Sequence, residues 1–329
     1  MKIYLTITKK PRLRKPILSC AWPGMGEVAF KLGTYLRDTI KMEEFATLEA
    51  PELFPPTGIW IEKNLIQLPK SGVGKFYFHK SKSAACDVIL FLSDAQPLLE
   101  HSVEYCKKIL SVSRELKVKR VITFAAMPQA IDHTAAPEVW YSATSKEIVD
   151  ELKNLNIGLK VLVSGQVSGL NGLFLGIAKE QAMEGICLLG EIPLFAIQIE
   201  NPKGSLAILE KLAKILKIEV DETGLREQVK FMEQEIDKLI NFIQSPEQYS
   251  GPISQEEIEK IKKSLSLGTK LPQSARIKIE KLFSEAKQNI VKATELKKEL
   301  DAWNIYKEYE DRFLDLFKKP KDANEKKHH

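Results

Sequence analysis

Short apolar runs alternate with amphipathic stretches through the first two-thirds of the chain. A short run in which every residue is apolar predicts a buried strand, and apolar residues that recur every three or four positions predict a helix. Strands are predicted at residues 17–21, 58–61, 75–78, 88–92, 121–125, 159–163 and 186–189, and helices at 27–40, 98–116, 145–155, 170–183 and 205–216. Alternation of this kind is typical of a largely parallel sheet covered on both faces. Residues 1–220 are therefore predicted to form an α/β domain, a three-layer α/β/α sandwich with a mostly parallel sheet.

A different pattern begins at residue 221. Apolar side chains step by four and three positions through residues 221–245, on a helix otherwise rich in Glu, Gln and Lys: Leu225, Val229, Met232, Ile236, Leu239 and Ile243. This heptad seam is too short for a free coiled coil, which needs about three to four heptads. The helix is therefore expected to pack on other structure, and its spacing suits a contact within the chain as well as one between subunits.

The last part of the chain predicts an all-helical arm over residues 254–318. A linker rich in Ser, Pro and Gly precedes it at residues 246–253, and Ser254 with Glu257 forms a capping box at the first helix. The last helix carries three aromatic candidates for partner contact: Tyr309, Phe313 and Phe317. They suit a small helical core and also a docking surface. Residues 319–329 form a basic tail whose two final histidines resemble the remnant of a purification tag.

The composition is that of a globular protein with a core, and it argues against several kinds of partner. The 329 residues are 44% hydrophobic and 28% charged, with a net charge of +5. Lys and Glu are interleaved along the helices, so the positive charge does not collect on one face and no nucleic-acid partner is expected. No apolar stretch is long enough to cross a bilayer and no signal peptide is recognisable, so no membrane partner is expected and the location is expected to be cytoplasmic. Four cysteines without a CxxC pair suit reduced, mostly buried thiols.

Polar and glycine-rich loops follow the predicted strands, including a long loop predicted at residues 126–144. In an open α/β sheet the carboxyl ends of parallel strands share one edge, where ligands bind. We therefore expect a crevice there, lined by these candidate ligand residues: Trp22, Gly24, Met25, Gly26, Gln96, Ser168, Gly169, Asn171, Gly172 and Glu191. Residues 24–26 precede a helix and suit an anion cradle of backbone N–H groups, or simply a turn from strand to helix. Ser168 is the expected N-cap of the helix that begins at residue 170.

No catalytic constellation is recognisable in the sequence. It has no GxSxG turn, no HExxH helix and no His/Cys set with metal-ligand spacing, so no catalytic residue, metal or cofactor is predicted. Asp132 and His133 are adjacent and invite comparison with an acid/base pair, but adjacent loop residues do not generally point the same way, and His133 is expected at the surface. Cys106 falls on the apolar face of a predicted helix, which is a poor place for a nucleophile. The absence of convergent titratable groups argues against an enzyme.

Several blocks of the sequence resemble the proteasome assembly chaperone family, the prokaryotic relatives of the second eukaryotic proteasome assembly chaperone. They are the Trp-Pro-Gly-Met-Gly turn at 22–26, the Ala-Thr-Ser ending of 139–145, the Gly-Leu-Asn-Gly helix start within 168–176, and the runs 185–193 and 201–206. The resemblance covers residues 15–220, and parts of the arm are similar to one found in a subset of relatives. It implies a fold like that of purine nucleoside phosphorylases, a homo-oligomer, and binding of other proteins, with proteasome subunits as the named clients.

Two departures from the family pattern bear on function. Relatives that dock on the proteasome core end in a hydrophobic residue, a tyrosine and one more residue, whereas residues 324–329 contain no tyrosine. That docking mode is therefore not expected of this sequence. In addition, Leu194 and Phe195 stand where many relatives have Gly-Tyr, which is expected to narrow the edge of the crevice.

The sequence leaves two functions open. The first is a protein-binding, chaperone-like homo-oligomer, a trimer or larger by the resemblance and the heptad seam. The second is a small-ligand protein or an enzyme that uses the crevice for a nucleoside, a nucleotide or a similar molecule. The missing catalytic groups and the aromatic arm favour the first, whereas the clustered polar loops favour the second.

Overall fold

The computed structural model describes residues 2–317, except 57, 69–70, 82–85, 245–272, 290–291 and 303–305. Its strands are β1 (Tyr4–Ile7), β2 (Ile17–Ala21), β3 (Glu43–Glu49), β4 (Trp60–Glu62), β5 (Leu65–Gln67), β6 (Val73–His79), β7 (Val88–Ser93), β8 (Arg120–Gln129), β9 (Val139–Ala143), β10 (Leu159–Val161) and β11 (Glu184–Pro193). Its α-helices are α1 (Val28–Thr39), α2 (Ser102–Glu115), α3 (Lys146–Asn154), α4 (Leu170–Glu180), α5 (Pro202–Leu216), α6 (Thr223–Gln244), α7 (Gln273–Gln288), α8 (Ala293–Ala302) and α9 (Tyr306–Leu314).

One large sheet joins nine of these strands, in the order β1-β3-β6-β7-β2-β8-β11-β9-β10. The four at its centre, β7, β2, β8 and β11, run parallel to one another. On one side β6, β3 and β1 follow by antiparallel pairing, and on the other β9 lies antiparallel to β11 and carries β10 parallel to itself. The predicted α/β fold is confirmed, with parallel pairing at the centre and antiparallel strands towards both sides. We call the edge where the four central strands end the carboxyl edge, and the opposite one the amino edge.

Helices cover both faces of the sheet because successive residues of each strand point to opposite faces. Leu18 and Cys20 of β2 belong to the apolar core that the sheet shares with α2 and α4. Ala21 belongs to the core on the other face, which is shared with α1, α3, α5 and α6. Strand β7 is buried along its whole length. The result is the predicted three-layer sandwich.

The prediction of a long loop at residues 126–144 is wrong. Strand β8 continues to Gln129, and residues 139–143 form strand β9, which lies between β11 and β10. Val139 and Tyr141 of β9 are buried in one apolar core, whereas Trp140 between them packs against the other. The signal for this strand was the run Val-Trp-Tyr, because β-branched and aromatic residues favour extended structure.

The first half of the predicted heptad seam lies against the same chain. Leu225, Val229 and Ile236 of α6 are buried, and Leu225 and Val229 belong to the core beneath α1 and α5. Met232 is half-buried. The side chains of Leu239 and Ile243 lie outside the described part of the structure. A contact within the chain therefore accounts for the first two positions of the seam, Leu225 and Val229.

The arm has an apolar core of its own. Side chains of α7 and α8 meet Phe313 of α9 in a cluster that includes Phe283 and Leu296. Tyr309 packs its ring 5.7 Å from that of Phe283, and Phe313 lies 5.5 Å from Phe317, which is itself 55% exposed. The predicted linker at 246–253, the predicted first arm helix and the basic tail at 319–329 lie outside the described residues. Within the described ranges, no helix combines the length and the apolar character needed to cross a bilayer.

Candidate functional site

The candidate crevice lies at the carboxyl edge, but the chain reaches it by a different route from the one the sequence predicted. The segment that contains Ser168 was expected to follow the carboxyl end of a parallel strand. That expectation is wrong, because β10 runs antiparallel to the four central strands, towards the amino edge, and ends level with Leu188 in the middle of β11. Residues 162–169 then return across the molecule, and α4 begins beside the loops that follow β2 and β7.

Asn171 joins the first turn of α4 to the end of β2. Its side-chain Oδ1 accepts a hydrogen bond from the Trp22 backbone N–H, and its Nδ2 donates to the Trp22 carbonyl, both over 3.3 Å. The amide side chain thus pairs with the backbone much as a neighbouring strand would. Asn171 is buried, so both bonds are shielded from water. It is engaged with the protein itself.

Trp22 fills the space beneath this contact. Its side chain is fully buried, with ring centroids 5.6 Å from Phe91 and 5.4 Å from Phe174 in tilted arrangements. Such aromatic contacts stabilise beyond simple area burial. The indole N–H makes no hydrogen bond to the described residues. Trp22 is therefore part of the core under the edge and does not line an open crevice.

Gln96 fastens two loops together at the surface. Its Oε1 accepts a hydrogen bond from the Leu170 N–H over 3.0 Å, and its Nε2 donates to the Pro23 carbonyl over 2.6 Å. The predicted N-cap Ser168 is wrong, because Gly169 occupies that position without a side-chain bond, at φ +71°. A side chain from another loop, Gln96, serves the free N–H of the helix instead.

Two glycines are fixed by close packing around this contact. A Cβ on Gly169 would meet the Gln96 side chain at 3.0 Å, and the positive φ is strained for any other residue. A Cβ on Gly172 would come within 2.1 Å of the Val167 carbonyl oxygen. Both positions therefore keep the returning segment 162–169 tight against α4.

Backbone groups of the turn at residues 24–26 are bound by other parts of the chain. The Gly26 N–H donates to the Ile197 carbonyl over 2.8 Å, and the Gly26 carbonyl accepts from the Asn201 N–H over 2.7 Å. The Glu27 N–H closes the turn onto Gly24 over 2.9 Å. An anion bound at this turn would need N–H groups such as those of Gly26 and Glu27, and both already donate to carbonyls of the chain. Gly24 is exposed, and Met25 is half-buried against the core beneath α1.

Glu191 lies in β11 and is also engaged. Its carboxylate accepts a hydrogen bond from the Glu138 N–H over 2.9 Å and another from the Trp140 indole N–H over 2.8 Å. The side chain is buried, so these two donors satisfy its oxygen atoms where little water reaches them. Trp140 and Glu138 were missed because residues 126–144 were predicted as loop. Glu191 therefore ties β9 to β11.

A charged cluster that was not predicted fastens α6 to the α/β body. His133, expected at the surface, is buried, and its Nε2 lies 2.8 Å from Asp237 Oδ1 of α6. The Lys203 ammonium of α5 donates to the carbonyls of His133 and Thr134 over 3.0 and 2.7 Å, and it pairs with Glu233 of α6. The sequence gives no signal for this contact, because His133 stands among residues predicted as a loop and Asp237 is 104 positions away.

The surroundings of Asp132, Cys106 and Cys187 shift their pKa values in the directions that make them less reactive. The Asp132 carboxylate accepts hydrogen bonds from the Thr134 N–H and hydroxyl, and these lower its pKa, so it is a weak base. Its Oδ1 lies 3.4 Å from His133 Nδ1, longer than the roughly 2.7–3.2 Å of a normal hydrogen bond. Burial raises the pKa of Cys187 to about 11 and that of Cys106 to about 12, so these thiols stay protonated.

Known proteins are similar to this chain in sequence and in fold. The family model described as the PAC2 family matches residues 18–240. The uncharacterized protein MJ1210 of Methanocaldococcus jannaschii is 27% identical over 240 residues, which are 72% of this chain and 89% of that protein. The structure of Pyrococcus furiosus PbaB, an archaeal proteasome activator, is 27% identical, with a TM-score of 0.63 over 72% of this chain and 98% of its own. Rv2125 of Mycobacterium tuberculosis, a proteasome-assembly chaperone homologue, is 18% identical and shares the fold with a TM-score of 0.57, over 68% of this chain and 94% of its own.

Proposed function

Because this chain belongs to the PAC2 family, we propose that it is a protein-binding, chaperone-like homo-oligomer that acts on proteasome subunits. The matched residues 18–240 contain every candidate at the carboxyl edge. Among its relatives, PbaB is described as a proteasome activator, and this chain matches 98% of that structure. The assembly is a trimer or larger.

One observation carries the proposal: the polar side chains at the carboxyl edge form hydrogen bonds with other groups of the protein itself, mostly backbone groups. Asn171, Gln96 and Glu191 each accept or donate two hydrogen bonds within the chain. An enzyme or small-ligand site needs convergent polar groups that face the ligand. Groups that hold loops in shape are instead what a rigid binding surface requires. This supports protein binding over the turnover of a nucleoside or nucleotide.

The aromatic end of the arm supplies a candidate contact for the partner. Phe313 belongs to the small arm core, whereas Phe317 and Leu314 are 55% and 49% exposed. Leu225 and Val229 of the α6 seam are buried in the core of the α/β domain, so these two residues are not accessible to a partner. Of the predicted partner residues, Phe317 is the one we assign to client contact, because exposed aromatic residues anchor interfaces.

The direct test is capture of proteasome subunits by the full-length chain. The immobilised protein is mixed with cytoplasm of its source cell and separately with purified proteasome subunits, and bound proteins are identified by mass spectrometry. We expect proteasome subunits to be retained, and Phe317→Ala to weaken retention roughly tenfold while Lys297→Ala, an exposed change in the same arm, leaves it unchanged. Failure of purified subunits to bind would contradict the proposal.

A turnover screen tests the alternative. Nucleosides and nucleotides are offered with water or phosphate as acceptor, and we expect no hydrolysis or phosphorolysis. Activity that disappears in Glu191→Gln, in a protein with an unchanged circular dichroism spectrum, would overturn the proposal in favour of an enzyme.

A further inference from the structure

Basic side chains gather at the amino edge, where β2 and β8 begin. Residues 9–16 and 114–120 lead into these two strands, and together they contain nine Lys or Arg residues and one Glu. The first residue of β2 pairs in register with the first residue of β8. Lys15 and Lys119, which stand just before these residues, therefore lie close together. Along the helices Lys and Glu are interleaved, whereas at this edge the fold brings cations together.

The two segments are held by their apolar residues and present their basic ones to solvent. Leu13 and Leu116 pack against the same apolar core, the one that the sheet shares with α2 and α4. The Arg14 carbonyl accepts a hydrogen bond from the Asp87 N–H over 2.9 Å, which fixes the first segment beside the start of β7. The position of the basic residues is therefore set by the fold.

Most of these basic side chains have no partner within the protein. Five exposed cations are left without an ionic or hydrogen-bonded partner for the side chain in the described part of the chain: Lys10, Arg12, Lys15, Lys117 and Lys119. We call these five the basic group. The neighbouring carboxylates of Glu151 and Glu184 are already bound by Arg120. The positive charge of the basic group is therefore not neutralised there.

Folding alone does not explain the basic group. Lys117 follows the end of α2, where a cation is favourable because it opposes the helix dipole. The other four members do not lie at the end of a helix, and gathering like charges on one surface lowers the stability of a folded chain. A charge distribution that costs stability and is fixed by the fold indicates a binding surface.

A buried thiol at the same edge also responds to its positive charge. Burial and the Asp87 carboxylate raise the pKa of Cys86, whereas the charges of Arg14, Arg120 and Lys217 lower it. Three cations from three separate segments thus act at one point of this edge.

We propose that the amino edge binds an acidic segment of a partner protein through the basic group. Complementary charge selects such a partner and speeds its association. The inference goes beyond the proposed function, because the client contact assigned there is the aromatic end of the arm. It adds a second surface and defines its partner by charge.

The surroundings of the basic group favour an acidic protein over a nucleic acid. Residues 9–16 and 114–120 contain no aromatic side chain on which a base could stack. Glu115 is exposed on the last turn of α2, next to the basic group. Its carboxylate and the negative end of the helix would repel a backbone that carries a charge at every phosphate. An acidic peptide can place its fewer charges at the cations and avoid that position.

The test uses the full-length chain and a labelled peptide of alternating Glu and Ser, with binding followed by fluorescence anisotropy. We expect Lys15→Glu combined with Lys119→Glu to raise the dissociation constant roughly tenfold, because two attractive charges become repulsive. The matched control is Lys63→Glu combined with Lys230→Glu, which makes the same change in net charge at exposed positions of the β4–β5 turn and α6. It should bind like the unaltered chain. The basic tail is identical in all samples, so the comparison reports the amino edge.

Further variants guard against misfolding. Lys15→Gln combined with Lys119→Gln adds no charge and should raise the constant roughly threefold, whereas the two Lys→Arg changes should leave it unaltered. Phe317→Ala should also leave it unaltered, so this inference and the proposed function can fail separately.

Several results would overturn the inference. They are a peptide that does not bind, an affinity that does not fall as salt is raised, and an equal loss in the control variant. Tighter binding of a single-stranded RNA of equal charge, or of vesicles containing phosphatidylserine, would also overturn it if that affinity is lost in the Lys15 and Lys119 variant. The amino edge would then be a surface for nucleic acid or for membrane.

Discussion

The two ends of the four central strands are held together by different chemistry. At the carboxyl edge no side chain described above forms an ion pair: Asn171 binds the Trp22 backbone, Gln96 binds the Leu170 N–H, and the Glu191 carboxylate accepts from neutral N–H groups. At the amino edge, the elements are joined by ion pairs. The Arg120 guanidinium binds the Glu151 carboxylate with two nitrogens, over 2.6 and 2.7 Å, and donates to Glu184 over 2.7 Å.

The difference explains why the motif looks like a ligand site. Glycines and amides can approach a backbone closely and satisfy both its donor and its acceptor, and they are also the residues that recognise ligands. At the amino edge the same task falls to an ion pair, which resembles no ligand motif. The family turn at residues 22–26 thus takes part in a contact that joins distant loops. Variants at this edge and at the Arg120 ion pair compare how much each contact contributes to the free energy of unfolding.

The largest effect is expected where the carboxyl edge is most tightly packed. Gly172→Ala places a Cβ 2.1 Å from the Val167 carbonyl oxygen, and a backbone group cannot easily move away. We expect the free energy of unfolding to fall by about 3 kcal/mol or more, measured by urea denaturation. Gly176→Ala, in the same helix with open space around the new methyl, should instead stabilise by up to about 1 kcal/mol. Similar results for the two would refute the close contact.

Removing the buried amide is expected to cost somewhat less. Asn171→Ala leaves the Trp22 N–H and carbonyl without partners in a buried place, so unfolding free energy should fall by about 2 to 3 kcal/mol. Ser168→Ala changes an exposed residue three positions away and should stay within about 0.5 kcal/mol of the unaltered chain. If Asn171→Ala were equally harmless, its two hydrogen bonds to Trp22 would contribute nothing measurable to stability.

The hydrogen bonds of Gln96 should contribute less to the free energy of unfolding than those of Asn171, because Gln96 is exposed to water. Gln96→Ala should lower the free energy of unfolding by about 1 kcal/mol, the usual effect of losing a helix N-cap. Gln96→Glu preserves the acceptor for the Leu170 N–H and loses the donor to Pro23, so roughly half that effect is expected. An equal loss in the two variants would mean that the helix cap contributes nothing.

The smallest effect on stability is expected for Arg120→Gln, and its dependence on pH distinguishes the amino edge from the carboxyl edge. The Arg120 side chain lowers the pKa of Glu151, so this pair stabilises the fold above the ordinary carboxyl pKa and stops doing so as pH falls through the lowered value. Arg120→Gln should therefore destabilise at neutral pH by about 0.5 kcal/mol, a modest amount because Glu151 is half exposed. The difference from the unaltered chain should disappear in acid. The loss in Gln96→Ala should remain constant over the same range, since no ionisable group takes part.

Sequence reasoning succeeded where the signal was local. The all-apolar runs at β2, β7, β8 and β11 predicted the central parallel strands, because a strand buried on both faces has no polar side. It failed for β9, where a run of only five residues was absorbed into a predicted loop. It also missed the antiparallel direction of β10, since the apolar pattern of a strand is the same in both directions.

Direction and partners are what the chain alone could not supply. The sequence by itself determined the four central strands, the helices that cover the sheet and the family resemblance, because these depend on residues that are near in the chain. Only the tertiary structure decided what the motif's polar groups bind. Asn171 and Trp22 are 149 positions apart, so whether that amide faces a ligand or the backbone depends on how the sheet closes, and local propensities carry no information about it.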